Sequence, residues 1–124
     1  MPDSATTAGP DPELDVDLEL ALDQIGGDRE LLVEIAAIFL DSYPDHVAEL
    51  ERNLADNDLP LAARTAHAIK GAVSNFGAPG AIAAALAVED AAKTGDMAKT
   101  WAAFARLKEA LAVVHTALAP LAGR

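Results

Sequence analysis

The sequence predicts an all-α protein: an antiparallel up-down-up-down four-helix bundle with a short additional helix at its N-terminal end. Three observations lead there. The 124 residues include 29 alanines and only five aromatic side chains, a composition that suits helices far better than strands. Apolar positions recur at intervals of three and four, and no alternating pattern lasts more than a few residues. Glycine, proline and Asp/Asn clusters divide the chain into four long periodic segments with short links, so sequence neighbours must run antiparallel and bury their apolar stripes on each other.

Residues 1–13 combine Pro2, Pro10 and Pro12 with Ser, Thr, Gly and Asp and have no apolar period, so they are expected to be a disordered leader to a bundle over 14–124. A short helix is expected from about Asp15 to Ile25, stopped by Gly26-Gly27. A long helix follows from the N-cap Asp28 to about Ala55, with Leu32, Ile35, Phe39, Tyr43, Val47, Leu50 and Leu54 along one face. Pro44 removes a backbone donor inside it and is expected to kink or split it. After the turn Asp56-Asn57-Asp58, the third helix should span Leu59 to Phe76, burying Ala62, Ala66, Ile69, Val73 and Phe76, with Gly77 as its stop. Pro79 opens the fourth, to about Thr94. Gly95-Asp96 makes the last turn. The final helix presents Met97, Trp101, Phe104, Leu107, Leu111, Val114 and Leu118 to the core and ends at Pro120.

Composition narrows function before any motif does. Nine Lys+Arg against 20 Asp+Glu leave a net charge of −11, which argues against nucleic acid or an anionic membrane as partner. The absence of cysteine excludes disulfides, thiolate metal sites and a Cys nucleophile. No apolar run approaches a membrane span, and the first fifteen residues lack the basic and apolar regions of a signal peptide, so a cytoplasmic location is expected. The charge is uneven. Residues 1–58 hold 16 acids and 2 bases, residues 59–124 hold 4 acids and 7 bases, and no acid occurs between Asp58 and Glu89.

Few side chains could do chemistry. The histidines are His46, His67 and His115, and neither zinc-protease spacing nor the Glu-x-x-His pairs of di-iron bundles occur, so no metal centre is expected. Phosphate-binding and nucleophile-elbow glycine motifs are missing too, which leaves no nucleotide or other cofactor site. His46, just after Pro44, and His115, beside the last apolar stripe, read as structural. On the third helix, at about 100° per residue, His67 points roughly 140° away from the buried stripe. Arg64, Lys70, Gly71 and Ser74 share its exposed side. A neutral imidazole is a competent nucleophile near neutral pH. Arg64 and Lys70 would keep it in that form and offset the charge of a phosphoryl group. Gly71 costs its helix roughly 0.8–1.0 kcal/mol relative to Ala. In so alanine-rich a chain, its use suggests that another backbone must approach the imidazole closely.

The run Ala66-His67-Ala68-Ile69-Lys70-Gly71-Ala72-Val73-Ser74-Asn75-Phe76-Gly77-Ala78 resembles the signature of histidine-containing phosphotransfer (HPt) domains, A-H-x-[LI]-K-G followed by four positions and [ILF]-G-A. The segment Leu18 to Leu32 is similar to the opening of many such domains, Phe39-Leu40 suits the next helix, and Val88-Glu89 stands where the family often has Leu-Glu. The resemblance extends over about residues 15–118. It implies that His67 is the phosphoacceptor, modified on Nε2, that Lys70 pairs with the phosphoryl group, that Gly71 opens a docking surface, and that Gly77 ends the active helix. Arg64 and Ser74 match no fixed family position and keep only the supporting roles that the wheel gives them.

The function so implied is a phosphocarrier, not an enzyme: a cytoplasmic monomer accepting a phosphoryl group at His67 from a receiver-domain aspartyl phosphate and passing it to another response-regulator receiver. Its partners would be receiver domains and a hybrid sensor histidine kinase, docking on the Ala-rich, acid-free face around His67, with Mg²⁺ on the receiver side. Two alternatives stay open. One is the phosphoacceptor domain of a chemotaxis-type histidine kinase, which shares the H-x-x-K-G core and which the length of the native gene would discriminate. The other is a non-catalytic interaction bundle.

Overall fold

The computed structural model describes residues 15–124, so the expected leader, 1–13, and residue 14 of the expected bundle domain lie outside the described residues. Five helices follow one another: α1 (Leu18–Gln24), α2 (Arg29–Ala55), α3 (Leu59–Val73), α4 (Pro79–Thr94) and α5 (Met97–Leu118). Helix α2 packs on α3, α3 on α4, α4 on α5 and α5 back on α2, closing a four-helix bundle to which α1 adds a short cap against α2. Among the described residues there is no strand, and no helix is long and apolar enough to cross a membrane.

Aspartate defines most helix starts. Asp17, Asp28, Asp58 and Asp96 are the N-caps of α1, α2, α3 and α5, and their carboxylates accept from the backbone N–H of Leu20, Leu31, Leu61 and Lys99 at 3.0–3.1 Å. Each such cap contributes about 1 kcal/mol. Part of the acidic excess therefore serves helix initiation. Helix α4 lacks a side-chain cap and relies on Pro79 in its first turn.

The core lies along the bundle axis, where Phe39, Leu50, Leu54, Ile69, Val73, Phe76, Val88, Phe104, Leu107, Leu111, Val114 and Leu118 are almost wholly buried. Helices α3 and α4 pack on each other, and their buried positions include the small residues Ala62, Ala63, Ala66, Ala81, Ala84 and Ala85. That packing brings Glu89 on α4 within reach of His67. Thr65 on α3 donates to Asn53 Oδ1 on α2 at 2.7 Å, so these two buried polar groups satisfy each other.

The helix limits match expectation at α2, α4 and α5 and differ elsewhere. Helix α1 begins at Leu18 rather than Asp15, because the Asp17 side chain caps it. Pro44 does not split α2, which runs unbroken from Arg29 to Ala55. Helix α3 stops at Val73, three residues before Phe76. There the Ser74 hydroxyl donates to the Gly71 carbonyl at 2.7 Å, Phe76 N–H turns back to the Val73 carbonyl at 3.2 Å, and Gly77 reverses the chain at φ +60°. Phe76 is buried all the same, its ring 5.3 Å from that of Phe39. Trp101, expected in the core, is 39% exposed. Thr100 occupies the buried position instead, its hydroxyl donating to the Asp96 carbonyl at 2.6 Å, and Trp101 lies one step around the helix with its edge toward Phe104. Met97 is partly buried and Phe104 fully so.

Candidate functional site

Helix α3 divides cleanly into two faces. Ala62, Ala66, Ile69 and Val73 are buried in the bundle, and the His67 side chain, on the opposite side, is 63% exposed. Arg64 and Gly71 are exposed alongside it, and Lys70 is partly covered. A Cβ built on Gly71 would meet nothing within 4 Å beyond its chain neighbours and its own helix backbone, so one turn beyond the imidazole the helix surface is open. The wheel thus gives the right orientation for His67, Arg64, Lys70 and Gly71. Ser74 sits at the C-cap of α3, where its hydroxyl is engaged with the Gly71 carbonyl. Gly77 lies in the turn beyond and bonds through its carbonyl to the Asp17 N–H at 2.7 Å.

Two residues of the site come from α4 and had no role assigned from the sequence. Glu89 is 6% exposed, and its Oε1 lies 3.2 Å from His67 Nδ1 and 3.5 Å from Lys70 Nζ. Its Oε2 receives the Lys93 ammonium at 2.9 Å. One buried carboxylate thus connects the imidazole to two lysines on two helices. The surface expectation needs a correction: the face around His67 is free of acids along α3, yet a carboxylate lies directly beneath the imidazole. The signal was present in α4. Glu89 falls four residues after Ala85 and three before Ala92, inside that helix's buried arc, and a charge there requires partners.

The hydrogen bond of the Lys93 ammonium, together with that of His67 and the nearby charge of Lys70, holds the Glu89 carboxyl at about 2, against an ordinary 4.5, despite the opposing effect of burial. Glu89 is therefore ionised throughout the neutral range, and an ionised carboxylate can only accept. His67 must then donate from Nδ1, which leaves the lone pair of the neutral ring on Nε2, the nitrogen away from Glu89. A carboxylate that binds its proton less readily when folded contributes stability fully above pH 4.5, and that contribution falls away as pH drops toward 2. Glu89→Gln is expected to flatten this part of the acid-unfolding curve. An identical curve below pH 4.5 for the variant and the native protein would show that the carboxylate is not held as described.

Beside the imidazole, Pro60, Ala63, Arg64, His67, Glu89 and Lys93 line a concavity of about 560 Å³. On the other flank of α3, Ile35, Ile38, Ala72, Asn75 and Phe76 line a smaller groove, with Ile38 65% exposed. The other histidines are placed differently. His115 Nδ1 is 2.8 Å from the Tyr43 hydroxyl, whereas His46 Nδ1 is buried. Chemically, the arrangement offers one exposed, oriented imidazole nitrogen, cations on both sides of it, and a low surface next to it.

Among the protein-family models, the one described as the Hpt domain matches residues 34–117, a span running from the first turns of α2 almost to the end of α5 and containing His67, Lys70, Glu89 and Lys93. No curated protein and no solved structure gives a significant match to the chain.

Proposed function

Because the chain belongs to the Hpt domain family, the phosphocarrier modules of two-component signalling, we propose that His67 accepts a phosphoryl group from a receiver-domain aspartyl phosphate and passes it to a second receiver in a multistep relay. The observation that supports this reading best is the hydrogen bond of His67 Nδ1 to the buried Glu89, which leaves Nε2 as the nitrogen away from the carboxylate on a side chain that is 63% exposed.

In the forward step the Nε2 lone pair attacks phosphorus. An N–P bond forms, the P–O bond to the aspartyl group breaks, and its electron pair leaves with the receiver's carboxylate. The ring then carries a positive charge, with its proton still on Nδ1 and facing Glu89. The reverse step releases a neutral imidazole, a far better leaving group than an imidazolate. Glu89 therefore serves both directions by holding the proton at Nδ1. Lys70 and Arg64, three residues to either side of His67 on α3, offset the negative charge that gathers on the phosphoryl oxygens. The Mg²⁺ of such a reaction would come with the receiver. Gly71 and the Ile38, Ala72 and Asn75 groove give the receiver a low, partly apolar surface on which to pack a helix.

Incubation with each phosphorylated receiver of the source organism tests the reading, the readout being acid-labile, base-stable phosphate on this chain. Failure with every donor would reject it. A Gly71 series tests the docking face. Gly71→Ala should stabilise the fold by about 0.4–1 kcal/mol, since helical backbone suits alanine and the added methyl meets open space. Gly71→Leu and Gly71→Glu should remain folded and lose transfer. Normal transfer by these larger variants would place the contact elsewhere on the bundle.

A further inference from the structure

Lys93, like Glu89, is a site residue that neither the motif nor the wheel of α3 brings in. It follows Glu89 by one turn of α4 and takes Oε2 at 2.9 Å, whereas Oε1 faces His67 Nδ1 and Lys70 Nζ at 3.2 and 3.5 Å. The two carboxylate oxygens are thus divided between a cation on Glu89's own helix and the two functional residues of α3. The terminal torsion of a glutamate is broad, so a carboxylate keeps one oxygen turned in a given direction only when the other is held. Lys70 also has two claims on it: the Glu89 carboxylate in the resting protein, and the phosphoryl oxygens once Nε2 is modified. Without another cation on Glu89, Lys70 could leave only by stranding a buried negative charge.

We propose that Lys93 is a positioning residue: by holding Glu89 through Oε2 it keeps Oε1 turned to His67 Nδ1 and frees Lys70 to move to the phosphoryl group. The second half of this proposal rests on the phosphotransfer reading, whereas the first concerns the resting protein alone. The ion pair holds Glu89 in its charged form, as the depressed carboxyl shows. Lys93 is itself 63% exposed, so replacing it leaves the core intact.

The full chain, Lys93→Ala and Lys93→Arg make the test. Nitrogen-15 shifts of the His67 ring in the resting protein report which nitrogen carries the proton. The native chain should show the Nδ1–H form, Lys93→Ala a mixture of both tautomers, and Lys93→Arg the native pattern. Each protein is then phosphorylated with phosphoramidate, a small-molecule phosphoryl donor to imidazole, and transfer to a receiver is followed across neutral and mildly alkaline pH. Lys93→Ala should transfer roughly three- to tenfold more slowly, with a displaced pH profile, and Lys93→Arg should recover most of the rate. Native tautomer populations and native rates in Lys93→Ala would overturn the proposal. Equal impairment of the Ala and Arg variants would overturn it too, since it would make Lys93 a contact for the partner's surface. If native His67 takes no phosphoryl group from any donor, the phosphotransfer reading falls, and the tautomer populations still decide whether Lys93 holds Glu89.

Discussion

His67→Gln is expected to abolish phosphoryl acceptance outright while leaving the helical bundle as stable as before. The side chain is 63% exposed and contributes nothing to the core. Surface changes of this kind usually shift stability by no more than about 0.5 kcal/mol. Glu89 keeps two lysines when the imidazole is gone, so no buried charge is left unpaired. Glutamine has no nucleophilic nitrogen, so the loss should be complete rather than graded. Circular dichroism and thermal melting check the fold, and incorporation of acid-labile, base-stable phosphate checks the chemistry. A His67→Gln protein that still takes up such phosphate would direct attention to His46 or His115. The structure disfavours both. His46 has no partner at Nδ1, and His115 faces the Tyr43 hydroxyl, so neither ring has the buried carboxylate that fixes the proton of His67 on Nδ1.

The largest stability effect is expected at Gly77. Two costs add there. The backbone is left-handed at φ +60°, which disfavours an L side chain by roughly 1–2 kcal/mol. A Cβ would also run into the Asp17 carbonyl, in the same short contact where Asp17 N–H bonds to the Gly77 carbonyl at 2.7 Å. Neither partner can yield easily, since both are backbone and Asp17 is also the cap of α1. Gly77→Ala should therefore cost about 2 kcal/mol or more and lower Tm by several degrees. Gly26→Ala is the matched control: it has φ +77° and nothing within 4 Å of an added Cβ, so it bears the conformational cost alone. Denaturant unfolding of the two variants separates the terms. Equal losses would mean that the N-terminal segment does not rest on Gly77 as the structure shows.

The sequence by itself determined what depends on near neighbours in the chain. Helix starts followed from aspartates whose carboxylates cap N–H groups three residues on, and α4 and α5 from Pro79, Gly95 and Asp96. The exposure of His67 followed from the fixed angle per residue of a helix, as did the placing of Arg64, Lys70 and Gly71 beside it. Tertiary structure decided whatever depends on how one helix meets another. Thr100 took the core position expected of Trp101 because a threonine can return its hydroxyl to the preceding turn and so be buried without loss. The turn after Val73 replaced the last turn of α3, with Ser74 bonding back to Gly71 and the backbone of Asp17 seated on Gly77. Above all, Glu89 and Lys93 joined the site across 22 and 26 residues of sequence. Periodicity marks Glu89 as lying in a buried arc, but it cannot say which helix faces that arc or which atom is in reach. Only the packing of α3 on α4 brings the carboxylate to His67 Nδ1, and that distance is what turns an exposed histidine into one with a chosen nitrogen.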